Sequence, residues 1–168
     1  EWIVERDYAR EALPKRDPEG HKGSFGEVLA LAGSAGYTGA AWLTAEGAVR
    51  GGCGLVHLGV PEDIWPVEAV KCTSAMPFPL AAKDGGLALG ALEGIREKLS
   101  RCDVLALGPG LGRRAETAEL IRRLLAETGK SVVLDADGIN ALVGHIDILD
   151  GRRGRVTVLT PHEGEFAR

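Results

Sequence analysis

Residues 103–112 read DVLALGPGLG. An apolar run from Val104 to Leu107 is followed by three glycines and a proline within five positions (108–112). An unbroken apolar run is what a strand buried on both faces requires, as in a parallel sheet covered by helices. A loop so poor in side chains is rigid, and its backbone amides offer a bed for a flat or charged ligand. The same five residues also serve as a tight turn.

Other runs repeat the strand half of this pattern. EVLALAG (27–33), GLVHLGV (54–60), SVVLD (131–135) and RVTVLT (155–160) are each nearly continuous in apolar residues. SAMPFPL (74–80) is a weaker candidate, because two prolines restrict it to an edge strand or a loop. Between the strands lie helical patterns at 39–50, 91–100 and 115–129. In the last of these Leu120, Ile121, Leu124 and Leu125 form one stripe, with Gly129 as its expected stop. Strands alternating with helices predict an α/β domain of doubly wound type. RDPEGHKGSFG (16–26) is expected to be a loop feeding the first strand, with residues 1–20 as a lead-in to a single domain.

Composition narrows the function. The chain has 168 residues, 45% of them hydrophobic, which suits one core of ordinary size. Glycine, at 24 residues, is about twice the usual share and clusters after apolar runs, as tight turns require. A net charge of −4 argues against nucleic acid as the main partner. GRRGR (151–155) is expected to be a solvated loop. No apolar run approaches the roughly 20 residues of a membrane span, and EWIVERDYAR is too charged for a signal peptide. Cys53, Cys72 and Cys102 are odd in number, far apart and without metal-ligand spacing, so reduced thiols in a cytoplasmic protein are expected. The only methionine is Met76, so the chain is expected to be a piece of a longer or processed one.

In parallel α/β sheets ligands bind outside the carboxyl ends of the strands. The first strand leaves into GSAGYTGAA (33–41), where glycines permit close approach and a helix N-terminus offers free N–H groups to an anion. The spacing is neither the dinucleotide fingerprint nor a P-loop, and it also fits a plain strand-to-helix turn. The strand at 131–135 leaves into DADGIN (135–140). Either Asp135 or Asp137 can cap a helix. Two aspartates with Asn140 one turn on exceed that need, and suggest a magnesium site held directly or through water. The last strand leaves into TPHEGE (160–165), where Thr160 and Glu163 fit a capping box and His162 is by itself more often structural. His21 and Lys22, before the first strand, are within the range of phosphate binders or of a solvated basic turn. AVRGGCGLV (48–56) ends a helix and reads as mainly structural.

HKGSFG, GSAGYTGAA, AVRGGCGLV, GPGLG, DADGIN and LTPHEGEFAR, in that order, resemble the NAD(P)H-hydrate dehydratase family from about His21 to Arg168. The resemblance implies a ribokinase-like (Rossmann-like) three-layer α/β/α fold with a mostly parallel sheet. It implies dehydration of the S epimer of hydrated NAD(P)H back to NAD(P)H, with ADP or ATP as co-substrate and Mg2+ as cofactor. The ring hydroxyl would accept a phosphoryl group, and phosphate would then leave. By the same resemblance Ala40, Gly112 and His162 contact the substrate. Lys22, Gly33, Gly110, Asp135, Asp137, Asn140 and Glu165 belong to the supporting rim, with Asp135 and Asn140 linked to metal through water.

The family also carries a lysine-glycine loop and a GxGD motif later in its sequence, whose aspartate is the base. Neither occurs here: GPGLG is followed by Arg113. This chain is therefore expected to be an incomplete domain, its C-terminal part missing, holding the substrate side and inactive alone. A homotetramer and a fused or paired epimerase domain are also implied. Two other functions stand beside this one: a ribokinase-like kinase of thiazole or hydroxymethylpyrimidine alcohols, and a non-catalytic nucleotide-binding fragment.

Overall fold

The computed structural model describes residues 3–13 and 15–168. Strands β1 (Glu27–Leu31), β2 (Leu55–Pro61), β3 (Met76–Leu80), β6 (Val104–Leu107), β7 (Ser131–Leu134) and β8 (Thr157–Leu159) form a six-stranded sheet in the order β3-β2-β1-β6-β7-β8. Every pairing in it is parallel. A separate two-stranded hairpin, β4 (Ala82–Lys83) and β5 (Gly86–Leu87), is antiparallel. The helices are α1 (Arg6–Ala12), α2 (Thr38–Arg50), α3 (Trp65–Lys71), α4 (Leu92–Ser100), α5 (Ala115–Glu127), α6 (Asp137–Asn140) and α7 (Glu163–Phe166).

The expected α/β class holds, and the alternation within β1 explains its layers. Leu29 and Leu31 face one side of the sheet, where they join Leu105, Leu107, Val132 and Leu134. Ile95 and Leu99 of α4, with the Leu120, Ile121, Leu124 and Leu125 stripe of α5, cover that side. Each such fully buried side chain contributes about 1.5–3 kcal/mol. Ala30 and Ala32 face the other side, beside Val56, Leu58 and Val60, under Ala41 and Ala45 of α2 and Ile64. Small residues on both surfaces let α2 approach the sheet closely. Beyond α2 that side thins out: Val133 is 36% exposed and Val158 45%.

The proline-bearing stretch is the edge strand β3, where Pro77 and Pro79 spare the sheet a missing donor in its interior. The apolar pattern did not signal α3, whose seven residues bury only Glu68. Nor did it signal α1, which has no buried residue.

Two local expectations are corrected. GRRGR is not simply a solvated loop: Arg152 is 3% exposed. Its guanidinium donates to the carbonyls of Leu125, Thr128 and Lys130 at 2.8–3.0 Å and to Thr157 Oγ1 at 2.9 Å. It thus satisfies carbonyls that the end of α5 leaves without partners. α5 stops at Glu127, with extended Thr128 as its cap, so Gly129 is not the terminator. Burial, and then neighbouring Arg155, pull the Arg152 pKa below the ordinary arginine range.

Candidate functional site

β1 is flanked by β2 on one side and β6 on the other, so the crossover after β1 and the later return to β6 diverge from this point. A crevice opens at such a switch point, outside the carboxyl ends of the strands. The loops after β1 and β6 meet there. Gly33 donates its amide to Pro109 O at 2.8 Å, and the fully buried Ser34 hydroxyl donates to Gly110 O at 2.7 Å. Gly110 has φ +67°, and a Cβ there would come within 2.7 Å of Ala40 Cβ. Only glycine combines that conformation with that approach. The structure therefore brings together Gly33, Ala40 and Gly110.

The β6 loop is also tied to the β7 loop. Gly112 N–H donates to Asp137 Oδ2 at 2.9 Å, and Asn140 Nδ2 donates to Asp137 Oδ1 at 3.2 Å. Arg113 Nε lies 3.5 Å from Asp137 Oδ1. Asp137 begins α6 without capping it; the N-cap is Ala136, held at φ +50°. Non-glycine residues pay a steric penalty there, and such outliers cluster at functional sites. Asn140 Oδ1 accepts from Arg168 Nη1 at 2.9 Å, which connects α6 to α7.

These contacts decide which rim oxygens remain for a cation. Both oxygens of Asp137 and the amide oxygen of Asn140 are engaged. Asp135 Oδ1 accepts from Ala136 N–H at 2.9 Å, and its other oxygen has no hydrogen-bond partner among the described residues. One carboxylate with a spare oxygen fits magnesium, which usually takes one or two carboxylates and keeps several waters.

His162 and Glu165 form the capping box of α7, in place of Thr160 and Glu163. Gly164 N–H donates to His162 Nδ1 at 3.0 Å, and His162 N–H donates to Glu165 Oε2 at 3.1 Å. His162 Nε2 lies 3.3 Å from Glu165 Oε1. The imidazole is still 68% exposed, so the box orients it without covering it. Thr160 instead directs its hydroxyl to Leu134 O at 3.4 Å.

Lys22 is off this rim. It opens a 3-10 turn (Lys22–Phe25) before β1, and its carbonyl packs against Gly54, just before β2. In a parallel sheet all strand starts lie at one end, so the five-residue β1 separates Lys22 from the glycine loops by about 16 Å.

The sequence did not single out Tyr37 or Arg114 as site residues, and took Arg113 only as a departure from the family. Tyr37, Gly112, Arg113, Arg114 and Asp137 line a cleft of about 630 Å³. Two guanidinium groups and an exposed aromatic ring suit a phosphate-bearing, ring-containing ligand. α2 opens at Tyr37 with no side-chain cap, leaving its first amides for an anion. The β4–β5 hairpin closes one flank, where Ala35 N–H donates to Gly85 O at 2.8 Å. Asp84 and Gly85 both have positive φ, the two-residue turn that an Asp-Gly pair signals in KDGG (83–86). That signal was legible.

A doubly wound sheet with glycine loops meeting at its switch point defines an α/β protein of the ribokinase-like class. A ribokinase-like superfamily protein from Enterococcus faecalis superposes with a TM-score of 0.77 at 21% identity, covering 97% of this chain and 54% of that one. An ADP/ATP-dependent NAD(P)H-hydrate dehydratase from Bacillus subtilis, co-crystallised with ATP and Mg2+, superposes with a TM-score of 0.69 at 28% identity, covering 96% of this chain and 53% of that one.

A family model described as NAD(P)H-hydrate dehydratase matches residues 28–168, and the chain belongs to that family. It is 43% identical over 162 residues to a bifunctional NAD(P)H-hydrate repair enzyme from Moorella thermoacetica, covering 96% of this chain and 30% of that protein. It is 32% identical over 159 residues to an ADP-dependent (S)-NAD(P)H-hydrate dehydratase from Xanthomonas campestris, covering 95% of this chain and 53% of that protein. The chain thus spans 30% of the first of these curated relatives and 53% of the second.

Proposed function

We propose that the cleft at the β1–β6 switch point binds the hydrated dinucleotide, and that the whole protein carrying this chain dehydrates (S)-NAD(P)H hydrate with ADP or ATP. The observation that carries this is the joining of the loops after β1, β6 and β7, through the Gly110–Ala40 contact and the Gly112–Asp137 hydrogen bond. Ala40 and Gly112 offer little side chain, so the nicotinamide nucleotide lies close to backbone. Asp137 holds the Gly112 amide in place. Arg113 and Arg114 attract the phosphates. His162, oriented by Glu165, contributes a further contact from the rim.

Asp135 is the residue suited to hold Mg2+, through its spare oxygen and waters. When bound, the ion would neutralise charge on the transferred phosphoryl group. The chemistry asked of the protein is mostly positioning and charge stabilisation, because phosphorylation turns a poor leaving group, hydroxyl, into a good one. The GxGD aspartate that family resemblance makes the base is not among these residues, so the 168-residue chain is proposed to bind without turning over. Association with an epimerase domain and a tetrameric assembly belong to the same proposal.

Calorimetry of the chain with NADPH tests the binding half. The expected result is saturable binding that His162→Ala weakens without lowering the unfolding free energy by more than a cap residue's contribution, about 1 kcal/mol. No binding, or unchanged affinity in the variant, counts against it. Mixing the chain with hydrated NADH, ADP and magnesium tests the rest: recovery of the reduced-nicotinamide absorbance would refute the inactivity of this chain alone.

A further inference from the structure

At the end of the sheet opposite the glycine loops, three side chains from distant segments converge. Glu27 begins β1, His57 lies on the neighbouring β2 two residues further along the sheet, and Cys102 follows α4. One donor atom from each lies within 4.8 Å of the others. His57 Nε2 and Glu27 Oε2 are already 3.3 Å apart. In a tetrahedral zinc site, with bonds of about 2.0–2.3 Å, neighbouring donors stand roughly 3.5 Å apart. One edge of such a site is therefore in place, and a shift of about 1 Å in the thiol closes the others.

We propose that Glu27, His57 and Cys102 form a binding site for a borderline-soft divalent cation, zinc first, with water as the fourth ligand. The donor set excludes magnesium and calcium as preferred occupants, because both take oxygen donors, whereas thiolate with imidazole selects zinc and its neighbours. Cys102 is fully buried and its Sγ donates only to Lys98 O, at 3.4 Å, a weak bond that rotation gives up cheaply. The Glu27 side chain is 27% exposed and that of His57 14%, which leaves an entry path and room for the water. On binding, the Cys102 thiol loses its proton to solvent and the thiolate, neutral imidazole and carboxylate each donate one pair to the metal.

The surroundings favour a cation. Two of the three donors, the Glu27 carboxylate and the Cys102 thiolate that forms on binding, are anionic and adjacent, so a cation held between them relieves their repulsion. Asp103 Oδ2 accepts the Glu27 N–H at 2.8 Å, which ties the start of β1 to the residue after Cys102. Placed at the starts of β1 and β2 and the end of α4, the ion ties three segments and stabilises the fold in proportion to its occupancy. It lies away from the dinucleotide cleft, and its presence does not depend on the proposed reaction.

Cobalt(II) titration of the chelator-stripped chain is the test, read by absorption. The expected result is a thiolate-to-cobalt charge-transfer band that saturates at one equivalent and is bleached by zinc. It persists in a Cys53→Ser/Cys72→Ser variant and vanishes in Cys102→Ser. His57→Gln, which leaves the buried thiol untouched, lowers cobalt affinity by about tenfold or more and so decides the matter if Cys102→Ser does not fold. Absence of the band, its loss on replacing Cys53 and Cys72, or cobalt affinity unchanged in His57→Gln would each overturn the proposal.

Discussion

The Gly112 amide donates to the Asp137 carboxylate at 2.9 Å, across the gap between the loops that follow β6 and β7. A bond of this kind is charge-assisted and contributes about 1.5–3 kcal/mol. Asp137→Ala is expected to lower unfolding free energy by that order and to weaken NADPH binding, whereas Asp137→Asn, which keeps an acceptor oxygen, retains most of both. Urea melts and calorimetry on the two variants check this; equal losses in both would show that charge alone matters.

Gly110→Ala meets two obstacles at once. Its φ of +67° carries roughly 1–2 kcal/mol of strain for a residue with a Cβ. The new methyl would also press on Ala40, 2.7 Å away. Gly36→Ala shares the positive φ, +89°, but meets nothing within 4 Å. The expected outcome is that Gly110→Ala costs more stability than Gly36→Ala in denaturant unfolding. Equal costs would mean that the Ala40 contact yields.

Arg152 is a buried cation whose loss the fold is expected to tolerate poorly. Removing its guanidinium strands the carbonyls of Leu125 and Lys130, whereas Thr128 O keeps the Arg155 Nη1 donor at 3.0 Å, and each buried acceptor left without a donor costs about 1–3 kcal/mol. Arg152→Met is expected to lose at least about 2 kcal/mol, and Arg152→Lys to recover only part, because one ammonium cannot reproduce the planar fork. Thermal unfolding of both variants checks the order.

Glu68 gives the stability a pH dependence of definite sign. Its side chain is fully buried, Oε2 has no partner among the described residues, and Lys71 Nζ lies 3.4 Å from Oε1. Burial raises the carboxyl pKa above 4.5, with Lys71 opposing. A raised pKa means that the folded state holds the proton more tightly than the unfolded one. The resulting stabilisation is complete below pH 4.5 and is lost as pH rises through the folded-state value. Glu68→Gln, without that titration, should show a flatter dependence, so the difference between variant and parent changes in the variant's favour from pH 4.5 upward. Urea midpoints from pH 4 to pH 8 measure it, and parallel curves would refute it.

Much of the fold was legible because its signals are local. Continuous apolar runs marked β1, β2, β6, β7 and β8, and the prolines of 74–80 marked β3 as an edge. The glycine loops after β1 and β6 announced themselves by composition. What escaped were elements with little apolar periodicity: α3, which buries one glutamate, and α1, which buries nothing. The hairpin at 82–87 carried an Asp-Gly turn signal but strands of two residues each, too short for an alternation to register.

The candidate site divides in the same way. Gly33, Gly110, Gly112, Asp135, Asp137, Asn140 and His162 stand at strand ends, and strand ends can be found along a chain. The contacts among them depend on strand order. Because β1 lies in the middle of the sheet, its loop meets the loop from residues 108–112, about 75 positions later, and no pattern along the chain reports that pairing. The sequence by itself determined the parallel α/β class, the family and the places where its loops turn to glycine. Tertiary structure alone decided that Lys22 stands at the far end of the sheet, that Arg152 is an interior cap, and that Glu27, His57 and Cys102 share one corner. Periodicity and turn chemistry act over a few residues, whereas register and strand order are settled by which hydrophobic faces close on one another.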